Sequence, residues 1–164
     1  MRDSWLCYKT SESLPQNIVL CGIKHCGKIT VGREIAEVLD INFCDSDRLI
    51  EKQYGTGESV REIFAREGEE FFRKLEAEVL TKLANSGRKM VIALGGGALS
   101  NEQVTPEIKA NLGFKVWLDT DDKVAFKRIT RKGLPPFLQN AADLLACCFI
   151  LVAVGKNEHV VSVV

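Results

Sequence analysis

Apolar residues in this chain fall into two patterns, short unbroken runs and longer stretches at helical spacing. Asn17-Ile-Val-Leu-Cys21 is apolar and β-branched and stops at Gly22, which predicts a buried strand. Thr30–Leu39 follows, with Val31, Ile35, Val38 and Leu39 spaced as on a helix. Ile41-Asn-Phe-Cys-Asp45 predicts a second strand. Ser59-Val-Arg-Glu62 has the form of a capping box, so a helix starts there and Gly68 interrupts it. The next helix runs from Glu69 to Asn85, with Phe72, Leu75, Val79 and Leu83 on one face and Gly87 beyond its end. Lys89–Leu94 reads as a third strand closed by Gly95-Gly-Gly97, and Lys115-Val-Trp-Leu-Asp119 as a fourth. Ser100-Asn-Glu-Gln103 is expected to cap a short helix, and Asp121–Arg131 reads as a polar one.

Strands that are apolar on both faces and alternate with helices imply an α/β fold, a parallel sheet covered by helices on both sides. Leu144–Val154 is uncharged and apolar, but shorter than the roughly 20 residues of a membrane span, so it reads as buried structure. Cys148–Val154 is expected to add a fifth strand and Glu158–Val164 a final helix. No repeat, low-complexity tract or linker divides the chain. A single domain over residues 1–164 is expected, with 1–16 as an N-terminal extension.

Composition narrows the classes. Among 164 residues, 46% are hydrophobic and 22 Lys plus Arg balance 22 Asp plus Glu. That is globular composition, and zero net charge argues against a nucleic-acid partner. Six cysteines occur without C-x-x-C spacing, several of them inside strand-like runs. They read as small hydrophobes rather than a disulfide framework or metal site, which suits a reducing cytoplasm. Met1–Asn17 has no apolar core of a signal peptide, so neither export nor a membrane partner is expected.

Candidate chemistry begins at Gly22-x-x-x-x-Gly27-Lys28, between a strand and a helix, the context of a phosphate-binding loop. Its N–H groups and the helix N-terminus would cradle phosphates, with Lys28 reaching the β- and γ-phosphates. The residue after the lysine should carry a hydroxyl for Mg²⁺, yet it is Ile29, and Thr30 is turned about 100° further round the helix. Asp45 and Asp47 stand at the carboxyl end of the second strand, where open α/β sheets bind ligands. Two apart in a strand, they would project to one side and serve a metal-bound water and a substrate hydroxyl, unless they merely begin a solvated helix. Arg73 and Glu76 are i, i+3 on a helix, either a surface pair or an arginine held ready for a carboxylate. Gly95-Gly-Gly97 is either a flexible turn or a close backbone wall for a ring.

In this order, the motifs resemble the shikimate kinase family. The stretches that carry the resemblance are Gly22-Ile-Lys-His-Cys-Gly-Lys28-Ile-Thr-Val-Gly32, Phe43-Cys-Asp-Ser-Asp-Arg-Leu-Ile-Glu51, Ile63–Glu76 and Ala93-Leu-Gly-Gly-Gly-Ala98. The resemblance implies a three-layer P-loop kinase sandwich with a five-stranded parallel sheet, and transfer of the ATP γ-phosphate to the 3-hydroxyl of shikimate on the way to chorismate. ATP and Mg²⁺ are the implied cofactors, shikimate the implied partner, and a monomer the expected state. It implies a catalytic Lys28 and an Asp47 that holds the reacting hydroxyl. Gly22, Lys24, Cys26, Gly27, Lys28, Ile29, Thr30 and Arg128 would bind ATP, with Arg128 against adenine. Asp45 would reach the metal through water. Asp47, Arg73 (oriented by Glu76), Gly95, Gly96 and Gly97 would bind shikimate.

Three features depart from the family pattern: Ile29, Pro135 where the lid arginine would stand, and the absence of any arginine after Arg131. Arg131 and Lys132 are the nearest cations to a shortened lid over residues 130–142, which an atypical segment, 143–164, follows. A silent nucleotide-binding remnant and another small-molecule P-loop kinase therefore stand as alternatives.

Overall fold

The structure is a computed structural model that describes residues 16–120 and the backbone of residues 161–163. Five parallel strands form one sheet in the order β2-β3-β1-β4-β5. They are β1 (Ile18–Cys21), β2 (Asn42–Asp45), β3 (Met90–Ala93), β4 (Phe114–Leu118) and β5 (Val161–Val163). The helices are α1 (Lys28–Leu39), α2 (Ser46–Tyr54), α3 (Val60–Glu67), α4 (Glu69–Ala84) and α5 (Pro106–Asn111). None of them is long and apolar enough to cross a membrane.

The alternation of side chains along each strand builds the three layers. Leu20, Val91 and Leu118 face α1 and pack with Ala36, Ile35 and Val31. Their neighbours Val19, Cys21, Met90 and Ile92 face the other way, into a larger core with Ile50, Ile63, Phe72, Leu75, Leu80 and Leu83 of α2–α4. Right-handed crossovers account for the split. The chain moves outward from β1 to β2 through α1, then returns toward β3 and passes β1 to reach β4, so the later helices cover the opposite face. Gly32 brings α1 close to the sheet, since a Cβ there would lie 2.5 Å from the Phe43 ring and 3.0 Å from Leu20.

The expected strands β1 to β4 and the helices flanking Gly68 are present, and the Ser59–Glu62 capping box forms in full. Three details differ from the sequence reading. Asp47 does not lie on the strand beside Asp45. Asp45 ends β2 and caps α2, a helix the sequence reading did not delineate, so the two carboxylates meet at a strand–helix junction. The turn at Ser100–Gln103 does not cap a helix: Thr105 caps α5, with Pro106 in the first turn, because the Asn101 side chain is committed elsewhere. The expected final helix over 158–164 is instead a strand at Val161–Val163, paired in register with Val116–Leu118. Its β-branched sequence suits a sheet edge better than a helix. Cys148–Val154, the 121–131 helix and the lid lie outside the described residues.

Candidate functional site

The site forms where β1, β2 and β3 end. In the order β2-β3-β1-β4 the chain leaves β1 and β3 in opposite directions, which opens a crevice at their carboxyl ends. A cavity of about 1110 Å³ occupies it, lined by Lys24–Val31, Asp45, Asp47, Val60, Arg61, Phe64, Phe72, Arg73, Glu76 and Ala93–Gly97.

The β1–α1 loop supplies one wall. Gly22 takes φ +133°, and a Cβ there would lie 2.7 Å from the Leu118 carbonyl oxygen, so only glycine permits the loop to leave the sheet this way. Gly22 itself does not line the cavity, and its contribution is the backbone path. His25 is left-handed with φ 66°, a conformation that costs a non-glycine residue roughly 1–2 kcal/mol. The Lys28 ammonium is folded into the loop. It donates to the carbonyl oxygens of Gly22 at 2.7 Å and Ile23 at 2.8 Å, and lies 3.6 Å from Cys26 Sγ. Cys26 is buried, with a free thiol. Ile29 is 44% exposed at the cavity wall, where the motif asks for a hydroxyl.

The β2–α2 junction supplies the second wall. Asp45 Oδ1 accepts from the Asp47 N–H at 3.0 Å, which turns the chain into α2 and sets the two carboxylates side by side. Burial raises the Asp47 carboxyl to about 6, assisted by the negative charges of Asp45 and Glu76 and opposed by Lys24 and Lys28. Between the two aspartates, the buried Ser46 hydroxyl accepts from the Gly95 N–H at 2.9 Å and ties this junction to the glycine turn.

That turn touches each remaining part of the site. A Cβ on Gly95 would lie 2.7 Å from Asp47 Oδ1, one on Gly96 would lie 3.6 Å from the Lys24 backbone nitrogen, and one on Gly97 would lie 3.1 Å from Arg73 Nη1. The glycines therefore leave the room that Asp47 and Arg73 occupy. Arg73 Nη1 donates to Glu76 Oε2 at 3.0 Å, and its Nε reaches Glu69 at 3.4 Å. The Glu69 contact is solvated and contributes little. Glu76 is 2% exposed while Arg73 is only partly buried, so the pair sets a buried carboxylate against a guanidinium that still reaches the cavity.

Every described residue read as a site residue, except Gly22, thus lines one cavity; Arg128 lies outside the described residues. The sequence reading missed the apolar wall of Val60, Phe64 and Phe72, whose helical spacing signalled only core. It also missed the roles of Ser46 and Asn101, which have no local signature.

The chain's similarities agree with this geometry. Residues 24–147 match the family model described as "Shikimate kinase". A shikimate kinase of Symbiobacterium thermophilum is 44% identical over 118 residues, 72% of this chain and 66% of that protein. One of Moorella thermoacetica is 42% identical over 126 residues, covering 77% and 70%. The chain thus spans about two thirds of the length of these curated relatives. Among solved structures, shikimate kinase from Acinetobacter baumannii in complex with shikimate superposes with a TM-score of 0.75 at 34% identity, covering 93% of this chain and 84% of that one.

Proposed function

The chain belongs to the shikimate kinase family, whose members use ATP, and from that membership we propose that it transfers the ATP γ-phosphate to the 3-hydroxyl of shikimate. The observation that carries this reading is the meeting of a phosphate loop, a buried aspartate, a clamped arginine and a glycine wall in one cavity. Phosphoryl transfer needs positioning and charge neutralisation more than covalent catalysis. The loop N–H groups and Lys28 hold and neutralise the phosphates. Arg73, with its guanidinium fixed by Glu76, takes the substrate carboxylate. Gly95–Gly97 form the wall along the ring, and Val60, Phe64 and Phe72 exclude water from its other side. Asp47 orients the hydroxyl and accepts its proton as the new O–P bond forms and the bond to the ADP oxygen breaks.

The donor set fits Mg²⁺ in a restricted way. Among the described residues no three His, Cys, Asp or Glu side chains cluster as a metal cage. Mg²⁺ is usually held by one or two carboxylates, substrate phosphates and retained waters, and Asp45 with the nucleotide meets that need. When bound, the ion neutralises phosphate charge. Ile29 withdraws the loop's own ligand. Ile29→Thr is therefore expected to make ADP binding depend more strongly on Mg²⁺. Calorimetry of ADP with and without the ion reads this directly, and an unchanged ratio would show that this position does not meet the metal.

The described cysteines Cys21, Cys26 and Cys44 form no disulfide, which suits a reducing compartment. An ADP-release assay with shikimate and Mg-ATP, run beside gluconate and nucleoside monophosphates, tests the assignment. Shikimate-dependent turnover is expected. Its absence in folded protein would overturn the reading.

A further inference from the structure

Asn101 is 2% exposed and packs beneath the glycine turn against α4. Its side chain makes three bonds. Nδ2 donates to Glu76 Oε2 at 3.0 Å and to the Arg73 carbonyl oxygen at 2.8 Å, while Oδ1 accepts from the Gln103 N–H at 2.9 Å. Both Nδ2 partners can only accept and the Oδ1 partner can only donate, so the orientation of the amide is determined. A buried carboxylate such as Glu76 has to find donors within the protein. Its Oε2 has two from different elements, Arg73 Nη1 on α4 and Asn101 from the turn after β3. The turn is itself bonded step by step, Ala98 N–H to Gly95 O, Ser100 N–H to Gly97 O and Asn101 N–H to Ala98 O. The segment that presents the glycine wall therefore also fixes the carboxylate that aims the arginine.

We propose that Asn101 is a positioning residue for carboxylate recognition, holding Glu76, and through it the Arg73 guanidinium, in register with Gly95–Gly97. This rests on the reading of Arg73 as the shikimate carboxylate ligand. Asn101 touches no reacting atom. It removes the freedom of Glu76 to swing away from Arg73, and a planar fork that is off register loses one of its two bonds to a carboxylate.

The test is Asn101→Asp, which is nearly isosteric and keeps the acceptor for Gln103 but turns the donor toward Glu76 into a second acceptor. Shikimate affinity and KM are expected to worsen by about tenfold, with ADP affinity changed less than about twofold, because a charged hydrogen bond is lost on one side of the cavity only. Asn101→Ser, too short to reach Glu76, gives the same split if the first variant folds poorly. The loss is expected in the KM for shikimate with kcat changed less than about threefold, a split that a merely structural loss of folded protein would not produce. Unchanged shikimate affinity in both single variants, or equal losses for shikimate and ADP, overturns the positioning role while leaving the assignment of the cavity standing. If the unsubstituted chain binds ADP but not shikimate, the assignment itself fails and the positioning role falls with it.

Discussion

Asp47→Asn is expected to lower kcat by about 10²–10⁴-fold, the range for loss of a positioned general base, with the KM for ATP little changed. The asparagine keeps the shape and a hydrogen bond to the hydroxyl but cannot take its proton. Burial raises the Asp47 carboxyl to about 6, so in the free enzyme kcat/KM for shikimate should climb as pH rises through that value. The variant should lack that limb. The same shift has a consequence for stability of opposite sign. The folded state holds the Asp47 proton more tightly than the unfolded chain, whose carboxyl titrates near 3.8. Folding is therefore weakened as pH rises from about 4 to about 6 and stays weakened above that. The difference between 3.8 and about 6 corresponds to roughly 3 kcal/mol. Asp47→Asn should accordingly melt higher than the unsubstituted chain at pH 7.5, an advantage that vanishes near pH 4. A variant that keeps its turnover would remove Asp47 from the reaction. One that gains no stability at neutral pH would show that the site tolerates the charge.

Arg73→Ala carries the second large effect. Truncating one side of a buried charged pair costs about 2–5 kcal/mol of binding, so shikimate affinity should fall at least about 30-fold while ADP affinity holds. The fold suffers too. Glu76, with a side chain 3% exposed, is left with Asn101 as its remaining donor among the bonds described, and a buried carboxylate stripped of its cation costs about 3–5 kcal/mol. The two losses separate in the double variant Arg73→Ala with Glu76→Gln. Removing the orphaned charge should restore much of the melting temperature and none of the shikimate affinity. Calorimetry and thermal melts on the three proteins read both quantities. Equal loss of shikimate and ADP binding would contradict the role of Arg73.

Much of this was legible along the chain because its physics is local. Apolar runs of strand length, the Ser59–Glu62 capping box and Gly68 between two helices depend on neighbours within a few residues, and these elements formed as read. The phosphate loop was legible for the same reason, since its glycines, lysine and flanking elements lie in one short segment. Reading the two aspartates as one strand face went wrong because Asp45 ends the strand and caps α2, which places Asp47 in the first turn of that helix. The strand at Val161–Val163 escaped because its partner, β4, lies more than forty residues away along the chain.

The sequence by itself determined the order of strands and helices, the loop that meets phosphate, and the charged residues available to a substrate, each set by spacing within a turn or a strand. Only the tertiary structure decided what those residues are chemically. Folding buries Asp47 beside Asp45 and Glu76 and so raises its proton affinity. It converts Arg73–Glu76 from an ordinary helix pair into a clamp with a buried carboxylate and brings Asn101 under it from another element. Burial and long-range hydrogen bonds depend on which distant segments become neighbours, and in this chain sheet order makes that choice.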